Sequence, residues 1–315
     1  MTRFEELFKN SKFILTEGGM VERVRREAPE LFDPHIAHAG LVYSAKGREI
    51  LENIYREYID IACKYNLKML SLAPTWRANP ERIKQSVFRN QKNIINQECI
   101  GFLKSIRDKY GDFKDSIFIG GMMACKNDAY KAEEALSIEE SKNFHTTQAV
   151  QLAESGVDFI KAATLPALSE ALGIAATISE LKVPYVLSFV VRPDGKILDG
   201  TSLHQVIDQI DSEVPNPPAF YMINCVHPTI FDQAIKTEWK NLGKRQNRIL
   251  GLQANTSAKT PEELESLPYL DTTEPENFAD QMINIHNSYG VKLIGGCCGS
   301  DNKHIEAIAR RIAAE

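Results

Sequence analysis

The feature that most limits what this chain can fold into is an alternation, repeated eight times, of a short apolar run with a longer amphipathic segment. Short runs rich in β-branched and aromatic residues predict strands, and nearly continuous apolar runs are typical of strands covered on both faces. The amphipathic segments predict helices, several of which end at Gly. The predicted strands cover residues 12–19, 67–75, 116–123, 157–164, 184–191, 219–225, 248–255 and 291–298.

Eight strands, each followed by a helix, predict a single (β/α)8 TIM barrel in the α/β class. A chain of 315 residues is long enough for one such barrel, and no Pro/Gly/Ser-rich linker divides it, so we expect one domain over residues 1–315. The longest connections are residues 20–46 and 256–276, after the first and seventh strands. Both fall at the C-terminal face, where barrels of this kind carry their active sites, so both are candidate lids.

Charge and hydropathy argue against two classes of partner. The formal net charge is -5, which gives no positive field to attract nucleic acid or anionic lipid. No apolar run approaches the roughly 20 residues that cross a bilayer, and the first residues lack the apolar core of a secretory signal. We therefore expect a cytoplasmic protein that binds neither nucleic acid nor membrane, with its six cysteines present as reduced thiols.

Three of those cysteines end predicted strands. Cys225 ends the sixth strand, and Cys297 and Cys298 end the eighth. Because all strands of a barrel end at the same face, we expect the three thiols to converge. Three thiolates suit Zn²⁺, and an open fourth position is typical of a catalytic rather than a structural zinc site.

The surrounding residues allow other interpretations of the paired cysteines. Gly295, Gly296 and Gly299 flank the pair, and glycine permits backbone conformations that side chains would obstruct. A vicinal disulfide is an alternative, but it needs a strained geometry and leaves Cys225 unexplained. His227 is a candidate fourth protein ligand, although a His before Pro at a helix start is more often a turn residue.

Segments around these thiols resemble the homocysteine S-methyltransferase family, which includes betaine–homocysteine methyltransferases and the homocysteine domain of cobalamin-dependent methionine synthase. INCVHP resembles the family's Asn-Cys-x-x-Pro segment, and IGGCCGSDNKHIEAIA resembles its Gly-Gly-Cys-Cys-Gly end with the helix that follows. LTEGGM, ESGVDFIKAATLPALSEA and LQANTS resemble the family's first, fourth and seventh strand regions. The resemblance therefore covers nearly the whole chain.

This resemblance implies a zinc-dependent methyltransferase of methionine biosynthesis, with Cys225, Cys297 and Cys298 as the metal ligands. Coordination to zinc deprotonates a substrate thiol, and the thiolate then attacks a methyl group. The implied acceptor is homocysteine, which gives methionine. The resemblance also implies substrate-binding roles for residues at strand ends: Glu17, Gly18, Gly19, Thr75, Thr164 and Asn255.

The chain departs from the family pattern in the half of the site that would bind the amino acid. The family's opening Asp is Glu17, its Glu-Thr pair in the fourth strand is Ala163-Thr164, and its Asn-Thr pair after the second strand is Pro74-Thr75. A missing partner for the substrate ammonium costs a charged hydrogen bond of about 1.5–3 kcal/mol, unless Glu17 takes over that role. A different thiol acceptor is therefore the alternative to homocysteine.

The methyl donor and the partners stay open at this point. S-methylmethionine and a methylated amine are candidate small-molecule donors. A corrinoid donor would have to arrive on a partner protein, because the chain has no Asp-x-His-x-x-Gly segment. No Gly-x-Gly-x-x-Gly loop indicates a nucleotide cofactor. A homo-oligomer is possible.

Two other functional classes compete with a thiol methyltransferase. Lys161 lies in the fourth predicted strand, and a lysine there could form a Schiff base in an aldolase, although a lysine packed in the barrel or paired with a carboxylate is commoner. An aldolase leaves the three thiols unexplained. A non-catalytic zinc-binding or thiol-sensing barrel would also accommodate altered substrate residues.

Overall fold

Eight parallel strands close into a barrel in the computed structural model, which describes residues 2–259, 263 and 271–315. The strands pair in chain order, and β8 closes the barrel against β1 through Leu15 and Ile294. The predicted TIM barrel is confirmed, and each strand overlaps its predicted run. The strands are β1 (Ile14–Thr16), β2 (Met69–Leu72), β3 (Ile117–Ala124), β4 (Phe159–Leu165), β5 (Tyr185–Phe189), β6 (Phe220–Asn224), β7 (Ile249–Ala254) and β8 (Leu293–Gly296).

Helices surround the barrel and pack their apolar faces on it. In the last helix, Ile305, Ile308 and Ile312 form a buried stripe, and Asp301 caps the N-terminus by accepting from the amides of Lys303 and His304. Among the described residues, none of the helices is long and apolar enough to cross a membrane. The helices are α1 (Arg3–Asn10), α2 (Val21–Glu27), α3 (Ala45–Lys64), α4 (Pro80–Gln85), α5 (Ile95–Arg107), α6 (Ile138–Glu154), α7 (Leu168–Ser179), α8 (Leu203–Glu213), α9 (Pro228–Leu242), α10 (Pro275–Tyr289) and α11 (Asn302–Ala313).

Helix α1 lies outside the predicted strand–helix alternation and closes the N-terminal end of the barrel. Thr2 and Glu5 form a capping box at its start. Phe4, Leu7 and Phe8 form its buried face and pack on apolar side chains from the first residues of the strands. The ring of Phe4 stacks on that of Phe159 with centroids 4.6 Å apart, and Phe8 meets Phe220 at 4.2 Å. This end of the barrel is therefore filled with apolar groups, and polar residues gather at the other end.

The two connections predicted as lids are residues 20–46, which are fully described, and residues 256–276, which are described only in part. Residues 20–46 form α2 and two short 3₁₀ turns, and several of their side chains line the cavity described below. This connection is therefore a wall of the cavity. Within residues 256–276, positions 260–262 and 264–270 lie outside the described residues. Near the end of that connection, the Thr273 amide donates to the Thr256 carbonyl oxygen.

Candidate active site

The three thiols converge at the C-terminal face, as expected from the strand ends. Cys225 directly follows β6, and Cys297 and Cys298 directly follow β8. Their sulfur atoms all lie within 4.8 Å of one another, and the Cys225 and Cys298 sulfurs are 3.8 Å apart. Strand β7 aligns the two loops, because the Cys225 amide donates to the Gln253 carbonyl and the Cys297 amide to the Ala254 carbonyl. The arrangement is thus built from backbone pairing between neighbouring strands.

The three glycines beside the cysteine pair serve two different purposes. Gly299 has a φ of 80°, in the left-handed region that favours glycine. Gly295 and Gly296 do not share this conformation, and close packing explains them instead. A Cβ on Gly295 would lie 2.6 Å from Thr16 Cγ2, and one on Gly296 would collide with the Ser300 hydroxyl. The left-handed conformation therefore accounts for Gly299, and obstruction of a side chain by neighbouring atoms accounts for Gly295 and Gly296.

Two other residues at this face hold left-handed backbone without being glycine. Thr164 has a φ of 61° and Cys225 a φ of 56°, conformations that cost roughly 1–3 kcal/mol and are common at functional sites. The Asn224 side chain holds Thr164 in place, because its Oδ1 accepts from the Thr164 amide and its Nδ2 donates to Thr164 Oγ1. Ser188 also donates to Asn224 Oδ1, at 2.6 Å. Asn224 lies in the INCVHP segment, which did not indicate this role.

The three sulfurs fit a tetrahedral soft metal ion. Zinc–sulfur distances of about 2.3 Å in a tetrahedral site separate the sulfurs by about 3.8 Å, which is the spacing of Cys225 and Cys298. Cys297 and Cys298 are free thiols, so the structure contains no vicinal disulfide. Three thiol ligands leave one tetrahedral position for a further ligand.

The thiols also interact with one another electrostatically. Hydrogen bonds from Cys297 and Cys298 hold the pKa of the Cys225 thiol well below its usual range, and a hydrogen bond from the Tyr130 hydroxyl acts in the same direction. The bond to Cys225 raises the pKa of Cys298. Of the three thiols, Cys225 is therefore the one whose neighbours most favour the thiolate form. Tyr130 lies in the connection between β3 and α6, where no motif indicated a functional residue.

His227 is occupied elsewhere. It is the N-cap of α9, where its Nδ1 lies 2.7 Å from Thr229 Oγ1 and its Nε2 lies 3.3 Å from Thr273 Oγ1. Both ring nitrogens therefore have hydrogen-bonding partners, one in the helix cap and one in the connection that precedes α10. The structure favours the turn residue over the fourth metal ligand.

A cavity of about 270 Å³ adjoins the thiols. Two aromatic residues line it, Trp76 from the connection after β2 and Tyr130 from the β3–α6 connection. Buried polar side chains within or next to β1, β4, β6 and β7 also line it: Glu17, Lys161, Thr164, Asn224 and Gln253. The predicted substrate-binding residues that line this cavity are Glu17, Gly18, Gly19 and Thr164.

Thr75 and Asn255 have backbone partners instead. Thr75 Oγ1 donates to the Met122 carbonyl at 2.8 Å and accepts from the Met122 amide at 2.9 Å. Asn255 Oδ1 accepts from the Ser257 amide at 3.0 Å. Neither is among the described residues that line the cavity, so their geometry supports a role in holding loops rather than contact with substrate.

Two buried residues of opposite charge lie at the cavity floor. Glu17 Oε1 accepts from Ser71 Oγ at 2.9 Å and from the Leu72 amide at 2.8 Å, and burial raises the pKa of Glu17 to about 7. Lys161 donates to Gln253 Oε1, and burial lowers its pKa to about 8. The lysine considered for a Schiff base is thus held by an amide, and Gln253 is a site residue that the sequence did not indicate.

Glu17→Gln should remove a pH dependence of stability. Glu17 ionises near 4.5 when unfolded and near 7 when folded, so raising the pH through this window favours the unfolded chain, which gains the charge first. One pKa unit corresponds to about 1.4 kcal/mol, so Glu17 should lower the free energy of unfolding by on the order of 3 kcal/mol. Denaturant titrations of metal-free wild type and variant, at about pH 5 and about pH 7.5, measure the difference. An equal pH dependence of stability in both proteins would contradict the raised pKa of Glu17 in the folded protein.

Comparisons with known proteins identify related sequences that cover nearly the whole chain. A family model described as homocysteine S-methyltransferase matches residues 14–312. The chain is 22% identical to selenocysteine Se-methyltransferase of Brassica oleracea var. italica, over 98% of this chain and 92% of that protein. It is 21% identical to homocysteine S-methyltransferase 1 of Arabidopsis thaliana, over 94% of this chain and 92% of that protein.

Solved structures show the same barrel. The homocysteine methyltransferase MmuM from Escherichia coli, in its oxidised form, aligns with a TM-score of 0.78 and 18% identity, covering 99% of this chain and 100% of that one. Its metallated form aligns with a TM-score of 0.77 and 17% identity, covering 98% of this chain and 100% of that one. At this identity the structural likeness establishes the fold.

Proposed function

Since this chain belongs to the homocysteine S-methyltransferase family, and is therefore a methyltransferase, we propose that Cys225, Cys297 and Cys298 bind one Zn²⁺ and that homocysteine is the methyl acceptor. The product would be methionine. The observation that carries the proposal is the meeting of three sulfur atoms within 4.8 Å beside a cavity. We further propose that one domain spans residues 1–315 and works in the cytoplasm, where thiols stay reduced.

The proposed chemistry needs an acceptor sulfur in its thiolate form. A free thiol has a pKa near 8.5 and is mostly protonated at about pH 7. When bound, Zn²⁺ would supply an open ligand position that takes this sulfur as a thiolate. The chain's contribution is alignment: backbone bonds to β7 fix the cysteine loops, and the cavity walls hold the acceptor and donor close together, which lowers the entropic barrier to displacement.

We propose a small cationic methyl donor, such as S-methylmethionine or a methylated amine. The residues that line the cavity include the aromatic Trp76 and Tyr130 and the acidic Glu22 and Asp128. Aromatic faces and carboxylates attract an onium group. A volume of about 270 Å³ suits small molecules, so a corrinoid on a partner protein is the second candidate, and it would have to present its methyl group at the cavity mouth.

Addition of homocysteine should raise the number of sulfur ligands on bound zinc from three to four. Zinc X-ray absorption of the purified protein, with and without the thiol, measures this directly. Homoserine is the matched control because it differs only in having a hydroxyl in place of the thiol, and it should add no sulfur. Unchanged coordination with every thiol would contradict the open site and would favour the zinc-binding or thiol-sensing alternative.

A further inference from the structure

Glu17 and Lys161 are two buried, oppositely charged groups that the proposed metal chemistry does not use. Each is 2% exposed, and both line the cavity beside the three thiols. They come from different strands, with Glu17 directly after β1 and Lys161 within β4. Buried charges are costly unless they are paired and hydrogen-bonded. The hydrogen bonds that Glu17 and Lys161 lack therefore indicate which charged groups a ligand in this cavity would carry.

Both groups have unused hydrogen-bonding capacity. The Lys161 ammonium has three N–H donors, and within the described residues its side chain makes one hydrogen bond, to Gln253. The Glu17 carboxylate accepts both of its hydrogen bonds on Oε1, from Ser71 and Leu72. Between described residues, the ion pairs within 4.0 Å do not include one between Glu17 and Lys161. A ligand with one negative and one positive group would supply the hydrogen bonds that both side chains lack.

Two buried nitrogens of cavity-lining residues, His38 Nδ1 and Trp76 Nε1, have no hydrogen-bonding partner between described residues, but neither side chain is a cation at about pH 7. The remaining groups that could bind an anion are engaged or lie at the exposed rim of the cavity. The Gly19 amide donates to the Ser300 carbonyl at 3.0 Å. The Arg77 guanidinium donates to backbone carbonyls in the β3–α6 connection and lies over the Trp76 ring. Arg25 is exposed and lies over the ring of Phe32. Lys161 is therefore the buried cation best placed to meet an anionic group of a ligand held at the thiols.

We infer that Lys161 is a specificity-determining residue that binds the carboxylate of the acceptor while Glu17 binds its ammonium, so that the site selects an α-amino-acid thiol. This inference rests on the proposed function and deepens it. It also explains how the site can work with Ala163 where the family has a glutamate. Glu17 and Lys161 together can bind both charges of an amino acid without a second carboxylate. The structural requirement is two opposite charges on separate strands, and β1 and β4 provide them.

The test compares three thiols that differ in one charged group each. Homocysteine carries both charges, 3-mercaptopropylamine lacks the carboxylate, and 4-mercaptobutanoate lacks the ammonium. Loss of one charged hydrogen bond should weaken binding by about ten- to a hundredfold. We expect wild type to prefer homocysteine over each analogue by this factor, both in the Kd from calorimetry on zinc-loaded protein and in KM.

Lys161→Met keeps the length of the side chain and removes its charge. In this variant the preference for homocysteine over 3-mercaptopropylamine should disappear, while its preference over 4-mercaptobutanoate is retained. Glu17→Gln should show the opposite pattern. Lys104→Met, which removes a partly buried lysine bonded to the Ser155 carbonyl in the outer helices, is the matched control and should behave as wild type. Zinc content confirms that each variant is loaded.

The outcomes separate the inference from the function on which it rests. If wild type prefers homocysteine over 3-mercaptopropylamine and Lys161→Met shows the same preference, the inference is wrong and the methyltransferase proposal stands. If wild type binds all three thiols equally, the inference is also wrong. If wild type binds none of them at the metal, the proposed acceptor chemistry fails and the inference fails with it. If Lys161 has only a structural role, Lys161→Met should weaken the binding of all three thiols alike, and this result would also overturn the inference.

Discussion

Cys298→Ala should abolish stoichiometric zinc binding and methyl transfer while leaving the barrel folded. The three sulfurs lie within 4.8 Å of one another, and removing one leaves two ligands for an ion that prefers four. Changes to groups that merely support a ligand cost roughly 10–100-fold in affinity or activity, so loss of the ligand itself should exceed a hundredfold. Metal analysis after dialysis, together with a methionine-formation assay, measures both effects.

The fold of this variant should be intact because Cys298 lies in a loop after β8 rather than in the core. Circular dichroism and a denaturant midpoint close to wild type would confirm it. Cys63→Ala is the matched control, since Cys63 is an exposed free thiol on α3, and it should retain zinc and activity. A Cys298→Ala protein that keeps both metal and activity would show that the proposed metal site is wrong.

Phe4→Ala should lower the free energy of unfolding by about 3–5 kcal/mol, the range for deleting a fully buried aromatic side chain. The Phe4 side chain is 1% exposed and contacts the rings of Phe8, Phe159 and Phe220 at the N-terminal end of the barrel. Removal of its ring leaves a cavity between α1 and the strands, which the surrounding side chains can fill only in part. Urea titration of the variant against wild type measures the change.

Zinc binding by folded Phe4→Ala should be unchanged, because the substitution lies at the end of the barrel opposite to the thiols. Val87→Ala is the control for loss of an apolar side chain at the surface. Val87 is 80% exposed, so its substitution should change the free energy of unfolding by no more than about 0.5 kcal/mol. A Phe4→Ala effect as small as that of Val87→Ala would contradict the view that α1 seals the barrel.

The barrel and the thiol cluster were predictable because their signals are long or repeated. Strands covered on both faces leave apolar runs in the sequence, and three cysteines at strand ends must meet if those strands close into one barrel. Helix α1 was not predicted because eight residues give little periodicity. Its capping box, Thr2 with Glu5, was the available signal.

The acceptor half of the site was only partly predictable. Spacing places Glu17, Thr75 and Asn255 alike at strand ends, yet only three-dimensional packing decides which side chain lines the cavity and which bonds to a neighbouring backbone. Tyr130 belongs to no motif, and the LQANTS segment that contains Gln253 did not indicate what its side chain does. Their roles follow from which atoms they approach across the barrel, and that information is not local in the sequence.

The division of the cavity between strands has a consequence for divergence and engineering. The cysteine loops follow β6 and β8 and are aligned by β7, whereas the charged pair is carried by β1 and β4. The two sets of strands are nevertheless in contact, because the Gly296 amide donates to the Glu17 carbonyl and Gln253 accepts both from the Cys225 amide and from Lys161. A designer who changes the side chains at Glu17 and Lys161 should therefore keep Gln253, which joins the two halves of the cavity.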